Sequence, residues 1–176
     1  MSNSPRPNIY LVGFMGTGKS TIGRQLAQQL EYSFVDSDHA IEAKAGIGIP
    51  EIFESQGESA FRVMEKAFVE TGHDSEGCVV SCGGGLVFQP GLTEMLQAKG
   101  VVITLFASAE TVYERTRSNK NRPLLNVDDP KAEIERLLKE RMPVYSEAGI
   151  GVLTDGRGIN DIVSHIIRIY RRKAGL

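Results

Sequence analysis

The chain has 176 residues, with 20 Lys or Arg against 22 Asp or Glu and a formal net charge of −2. That length suits one domain with a full core and one lid-like excursion, while the near-neutral balance excludes a global field for nucleic acid or an anionic membrane. Cys78 and Cys82, four apart on a predicted buried strand, suit reduced cytosolic thiols better than a disulfide framework, and the scattered His39, His73 and His165 fit no metal-ligand pattern.

The first eight residues carry two prolines and no apolar core, so they read as neither a secretory signal nor a membrane span, and nothing later reaches spanning length. Asn8-Ile9-Tyr10-Leu11-Val12 then reads as a buried strand. It runs into Gly13-Phe14-Met15-Gly16-Thr17-Gly18-Lys19-Ser20, a complete G-x-x-x-x-G-K-[ST] pattern, after which Ile22, Leu26, Ala27 and Leu30 recur at helical spacing. Glycines there let backbone N–H groups turn inward around a phosphate chain. Lys19 supplies a point charge for the β and γ phosphates, the Ser20 hydroxyl can ligate Mg²⁺, and the helix start adds its positive end.

Tyr32 to Val35 is a short second strand ending in Asp36 and Asp38, followed by a helix to about Lys44. If the backbone stays extended, the i, i+2 spacing sends both carboxylates to one side, one to serve Mg²⁺ and one to accept a proton; the alternative is a solvated loop with a helix cap. From Glu51 to about Val69, Ile52, Phe53, Phe61, Met64 and Phe68 recur at helical spacing with a break at Gln56-Gly57, which predicts two helices inserted between strands. Arg62 projects away from that apolar set, either as a solvated charge paired with Glu58 or Glu65, or as a fork for a carboxylate. Cys78 to Cys82 is a third strand closed by Gly83-Gly84-Gly85, whose missing Cβ atoms let a ligand approach the backbone, and Ser81 stands where a metal-orienting group belongs.

Pro90 to Lys99 predicts a helix, Val101 to Phe106 a fourth strand, and Ala109 to Thr116 another helix. Arg115 to Pro123 is basic, polar and poorly anchored, as a lid over phosphates would be. Asp129-Pro130 looks like the cap and first position of a helix over Lys131–Arg141, Gly151 to Thr154 a weak last strand, and Ile159–Arg172 the final helix. Strands alternating with helices predict a parallel α/β sheet covered on both faces, with ligands gathered at its carboxyl ends. A regulatory GTPase would need Asn-Lys-x-Asp, and Asn119-Lys120 is followed by Asn121-Arg122.

Taken together, Leu11 to Ser20, Asp36-Ser37-Asp38, Phe61-Arg62, Gly83 to Gly85 and Arg122-Pro123-Leu124-Leu125 make the chain resemble the shikimate kinases, of the nucleoside-monophosphate-kinase-like branch of phosphate-loop proteins. The resemblance implies a three-layer α/β/α P-loop fold over residues 1–176, with a central five-stranded parallel sheet, a helical substrate-binding region at about 37–70 and a mobile lid at about 115–130. It implies Mg²⁺ and ATP, held by Gly16, Thr17, Gly18, Lys19, Ser20 and Thr21, with Ser20 and Asp36 at the metal. It makes Asp38 the base, with Lys19 and Arg122 completing the catalytic set. Shikimate falls to Asp38, Arg62, Gly83, Gly84, Arg141, Phe53 and Phe61, and the nucleotide also to Arg115, Arg122 and Arg157; where the family often carries a proline beside adenine, this chain has none near Arg157. The implied reaction phosphorylates the 3-hydroxyl of shikimate, in a cytoplasmic monomer with no nucleic-acid or membrane partner.

Overall fold

The computed structural model describes residues 6–118 and 125–176, and in it the first strand, β1 (Asn8–Val12), lies at the centre of a five-stranded sheet. Around it stand β2 (Ser33–Asp36), β3 (Cys78–Ser81), β4 (Gly100–Phe106) and β5 (Ile150–Leu153), in the order β2-β3-β1-β4-β5 with every pairing parallel. Each return is made by helical chain: α1 (Lys19–Leu30), α2 (Ser37–Ala45) and α3 (Ile49–Thr71), α4 (Leu92–Lys99), α5 (Ala109–Thr116) and α6 (Pro130–Ala148), with α7 (Ile159–Ala174) last.

Alternation along the strands divides the core. Ile9 and Leu11 of β1, Val79 of β3, and Ile103 and Leu105 of β4 face α1 and α7, joining Ile22, Leu26, Ile162, Val163 and Ile166. Tyr10 and Val12, Val80 and Val102 face the other way, towards Ile41, Ile52, Phe68, Leu96, Ile134 and Tyr145. Both faces are covered, which is why the strands read as continuous apolar runs rather than alternating ones. The chain leaving β1 runs to the β2 edge and the chain leaving β3 crosses back to β4, so the loops after these neighbours flank the point where a crevice opens at the carboxyl ends.

Several sequence expectations are redrawn. Asp36 and Asp38 do not continue an extended backbone: Asp36 caps α2, accepting from the Asp38 and His39 N–H groups at 3.1 and 3.4 Å, and Asp38 sits in the first helical turn. The predicted break at Gln56-Gly57 stands: Gly57, with φ +82° and ψ 169°, is non-helical and divides α3 into two helical pieces. The Lys131–Arg141 helix begins as expected, with the Asp129 side chain accepting from the Ala132 N–H at 3.0 Å, but runs through Pro143 to Ala148. Buried Tyr145 and Ala148 hold that extension down, and the Thr104 hydroxyl and Gln97 amide donate to their carbonyls, each at 3.0 Å. At the end of β1, Gly13 takes φ +136° so close to β4 that a Cβ there would sit 2.4 Å from the Leu105 carbonyl oxygen.

Candidate active site

A crevice of about 620 Å³ lies over the carboxyl ends of β1, β2 and β3, lined by the loop from Met15 to Thr21, by Asp36 and Asp38, by Ser81 to Gly85, and by Arg115 and Arg141. One wall is the phosphate-loop motif. Gly16 (φ +76°) and Gly18 (φ +97°) take the left-handed backbone that bends the loop into the start of α1. Thr17 is buried and donates its hydroxyl to the Phe14 carbonyl at 2.7 Å, so its side chain braces the loop from within. The Lys19 ammonium reaches over the same loop to the Gly13 and Phe14 carbonyls at 2.8 and 3.0 Å. Thr21 adds an exposed hydroxyl at the rim.

Beneath the loop, the Ser20 hydroxyl donates to Asp36 Oδ2 at 3.0 Å and lies 3.3 Å from the Ser81 hydroxyl. Asp36 therefore divides its oxygens: Oδ1 caps α2, while Oδ2 meets the first turn of α1. Among the described residues no cluster of three or more His, Cys, Asp or Glu is placed to hold a metal. An oxygen set of one carboxylate and two hydroxyls suits Mg²⁺ arriving on a phosphate chain, since that ion keeps waters and takes few protein ligands.

The opposite wall is built from the turn after β3. The Gly83 N–H donates to the Ser37 hydroxyl at 2.8 Å, and the Gly84 carbonyl accepts from the Tyr145 hydroxyl at 2.7 Å, so the glycine triplet is tied to α2 and to α6. A Cβ at Gly83 would lie 2.6 Å from Asp38 Oδ1 and 3.5 Å from Glu65 Oε1, which locates both carboxylates beside it. Burial and then the neighbouring Asp36 raise the Asp38 pKa above the usual carboxylate range, against the pull of Lys19. Glu65 is 4% exposed, and burial followed by Asp38 pushes it up to about 7. Its Oε2 accepts from the Gln89 amide. The Arg141 guanidinium lies 5.5 Å from the Phe88 ring centroid and 5.8 Å from that of Phe14, and Phe88 meets Tyr145 edge-on at 5.4 Å.

Of the residues expected at the site, Gly16, Gly18, Lys19, Ser20, Thr21, Asp36, Asp38, Gly83, Gly84, Arg115 and Arg141 share this crevice. Arg115 donates to the Gly16 carbonyl at 3.2 Å and to the Thr154 hydroxyl at 3.1 Å, fixing it against the loop. Arg62 stands apart, exposed and paired with Glu58 Oε1 at 2.5 Å, and Phe53 and Phe61 stack against one another on α3 at 5.1 Å rather than lining the crevice. Arg157 is engaged elsewhere, donating to the Leu153 carbonyl at 3.1 Å with His165 Nδ1 at 3.2 Å. Arg122 lies outside the described residues.

Reading the sequence missed Ser37, Glu65, Gln89, Phe88 and Tyr145. Glu65 had a signal: it falls four after Phe61 and three before Phe68, a carboxylate on the apolar stripe of its helix.

With this geometry in view, comparison with known proteins gives a consistent result. The family model described as SKI, shikimate kinase, matches residues 15–171. A shikimate kinase from Cupriavidus pinatubonensis is 43% identical over 170 residues, covering 97% of this chain and 88% of that protein. One from Thermus thermophilus is 45% identical over 173 residues, covering 97% and 94%. Among solved structures, shikimate kinase from Acinetobacter baumannii in complex with shikimate gives a TM-score of 0.87 at 39% identity, covering 97% of this chain and 96% of that one.

Proposed function

The chain belongs to the shikimate kinase family, and from that premise we propose that it transfers the γ-phosphoryl group of ATP to the 3-hydroxyl of shikimate, giving shikimate 3-phosphate and ADP in the shikimate pathway of aromatic amino acid biosynthesis. It is an enzyme, a phosphoryl transferase. One observation carries the assignment of roles: a single crevice has the phosphate loop on one wall and Asp38, the glycine triplet and Arg141 on the other.

Phosphoryl transfer asks chiefly for positioning and for charge placed where it develops. On this reading Gly16 to Thr21 grip the triphosphate, Lys19 turns from its own loop carbonyls to the phosphates, and Arg115 flanks the base. Arg141, braced between two rings, meets the acceptor carboxylate, and Arg62 joins it by leaving the exposed Glu58, a pair worth little in water. Phe53 and Phe61 then wall the acceptor ring. Asp38 takes the 3-hydroxyl proton, a task favoured by its raised pKa. Ser20 and Asp36 would hold Mg²⁺, which supplies neutralisation of the phosphate charge, and Arg122 would come in with a lid over about 115–130.

The protein works, on the same reading, as a cytoplasmic monomer without nucleic-acid or membrane partners. A net charge of −2 and two free, buried cysteines support this, and among the described residues no helix is long and apolar enough to cross a membrane. The test is ADP release with ATP, Mg²⁺ and each of shikimate, gluconate, AMP and CMP. Turnover with shikimate alone is expected; turnover with another acceptor and none with shikimate would overturn the reading.

A further inference from the structure

A second cleft, of about 470 Å³, lies between α2 and α3 and shares no lining residue with the crevice. On α2 it is lined by Ala40, Ile41, Lys44 and Ala45. On α3 the lining falls at the same i, i+1, i+4, i+5 spacing, with Val63, Met64, Ala67 and Phe68. Two such faces would close on one another if their side chains were large, and alanine at 40, 45 and 67 leaves a gap instead. Buried Ile41 and Phe68 form its floor, and Gly72 closes one end, where a Cβ would stand 2.5 Å from the Phe68 ring.

The lip differs from the floor. Val63 is 68% exposed, the most of any large apolar side chain among the described residues. Lys44 is the one charged residue lining the cleft, and among the described residues no ion pair engages it. The acids nearest in sequence are held elsewhere: Glu42 Oε1 accepts from the Ile49 N–H at 2.9 Å, Glu65 from the Gln89 amide, and Glu70 pairs with Lys66 at 3.9 Å. A volume in the range of small-ligand sites, an apolar lining and one uncompensated cation together fit an apolar anion. A macromolecular partner would need a broad apolar patch, and the strongly exposed apolar surface at this lip is a single valine.

We infer that the cleft between α2 and α3 is a binding site for a small amphipathic monocarboxylate: an aryl or branched-alkyl body seats on Ile41 and Phe68 between the alanines, and its carboxylate accepts from the Lys44 ammonium. The body displaces water from the floor and covers Val63. Ala40 follows Asp38 by two residues on α2, so an occupant of the cleft packs against the helix that bears the proposed base.

The probe is 3-phenylpropionate, with 3-phenylpropanamide as its neutral counterpart, titrated into the full chain carrying ¹³C-methyl methionine. Met64 lines the cleft and Met15 the crevice, so their methyl signals report on the two places separately. The expected result is a saturable shift of the Met64 signal with a Kd of about 1 mM or below, the amide binding about fivefold more weakly. Lys44→Met keeps the stem and should erase the preference for acid over amide, while Ala67→Leu should fill the cleft and abolish the Met64 shift. A Met64 signal unmoved at about 10 mM probe, a shift of Met15 alone, an amide as tight as the acid, or a preference that survives Lys44→Met would each overturn the inference. Should Ala67→Leu fail to fold, Val63→Asp at the exposed lip sets a second carboxylate beside the probe's own and should weaken the acid more than the amide; equal effects on both would overturn it as well. ADP formation plays no part in this test, so its failure and that of the kinase reading are distinguishable.

Discussion

Replacing Gly83 by alanine separates the demands of folding from those of catalysis. Gly83 is not among the glycines with positive φ, so its backbone accepts a side chain, and the loss of freedom in the unfolded chain favours the variant by about 0.4–1 kcal/mol. The added methyl, however, would stand 2.6 Å from Asp38 Oδ1, where ordinary contact begins near 3.4 Å, and Glu65 Oε1 at 3.5 Å bounds the other side. The Asp38 carboxylate must therefore withdraw by about 0.8 Å from its place beside the reacting hydroxyl. A displacement approaching 1 Å costs roughly 100-fold in rate, or about 2.7 kcal/mol of barrier. The expected result is a kcat lowered about 100-fold at saturating ATP and shikimate, with ATP Kd unchanged and Tm within a few degrees of the parent. A folded Gly83→Ala protein with kcat within threefold of the parent would refute the assignment of Asp38 to the reacting hydroxyl.

Arg62→Ala should raise the acceptor KM by roughly 10- to 150-fold, the loss of about 1.5–3 kcal/mol from a charged hydrogen-bond partner, and should leave Tm unmoved because its pair with Glu58 is exposed; unchanged steady-state constants would return Arg62 to a solvated helix charge. Glu65→Gln should stabilise the protein at alkaline pH. The folded chain holds the Glu65 proton more tightly than the unfolded chain, about 7 against 4.5, so that stability is present in full below pH 4.5 and lost as pH rises through 7. Urea midpoints should then give the variant an advantage of about 3 kcal/mol at pH 8 and none at pH 4.5, and an equal gap at both would contradict the burial argument.

The phosphate loop, the order of strands and helices, and the caps at Asp129 and Pro130 were legible because each rests on local chemistry: glycines at fixed offsets, apolar runs, a side-chain oxygen before a proline. Asp36 was legible in type, while its geometry was left open between an extended pair and a helix cap, and the structure holds the cap. Its spacing to Asp38 suggested a shared extended segment, whereas the N–H groups of a new helix needed an acceptor and took Asp36 Oδ1. The sequence predicts a helix ending at Arg141, yet α6 runs through Pro143 because long-range packing of Tyr145 and Ala148 outweighs one missing helical hydrogen bond. Glu65 and Gln89 are 24 residues apart and meet only through the turn after β3, a contact that no single-sequence periodicity encodes. Arg62 was given both its solvated and its substrate-binding reading, and the structure holds the first while the proposal needs the second.

Gly13 bears on how such chains age. The neighbouring β4 carbonyl, rather than any phosphate, forbids a side chain there. A descendant that had abandoned nucleotides altogether would still be selected to keep that glycine, while the ammonium of Lys19 and the hydroxyl of Ser20 would be free to drift. Retention of the first glycine is thus testimony about architecture, and only the last two positions of the motif are testimony about chemistry. Surveys for lapsed enzymes built on this scaffold should weigh the two ends of the loop separately.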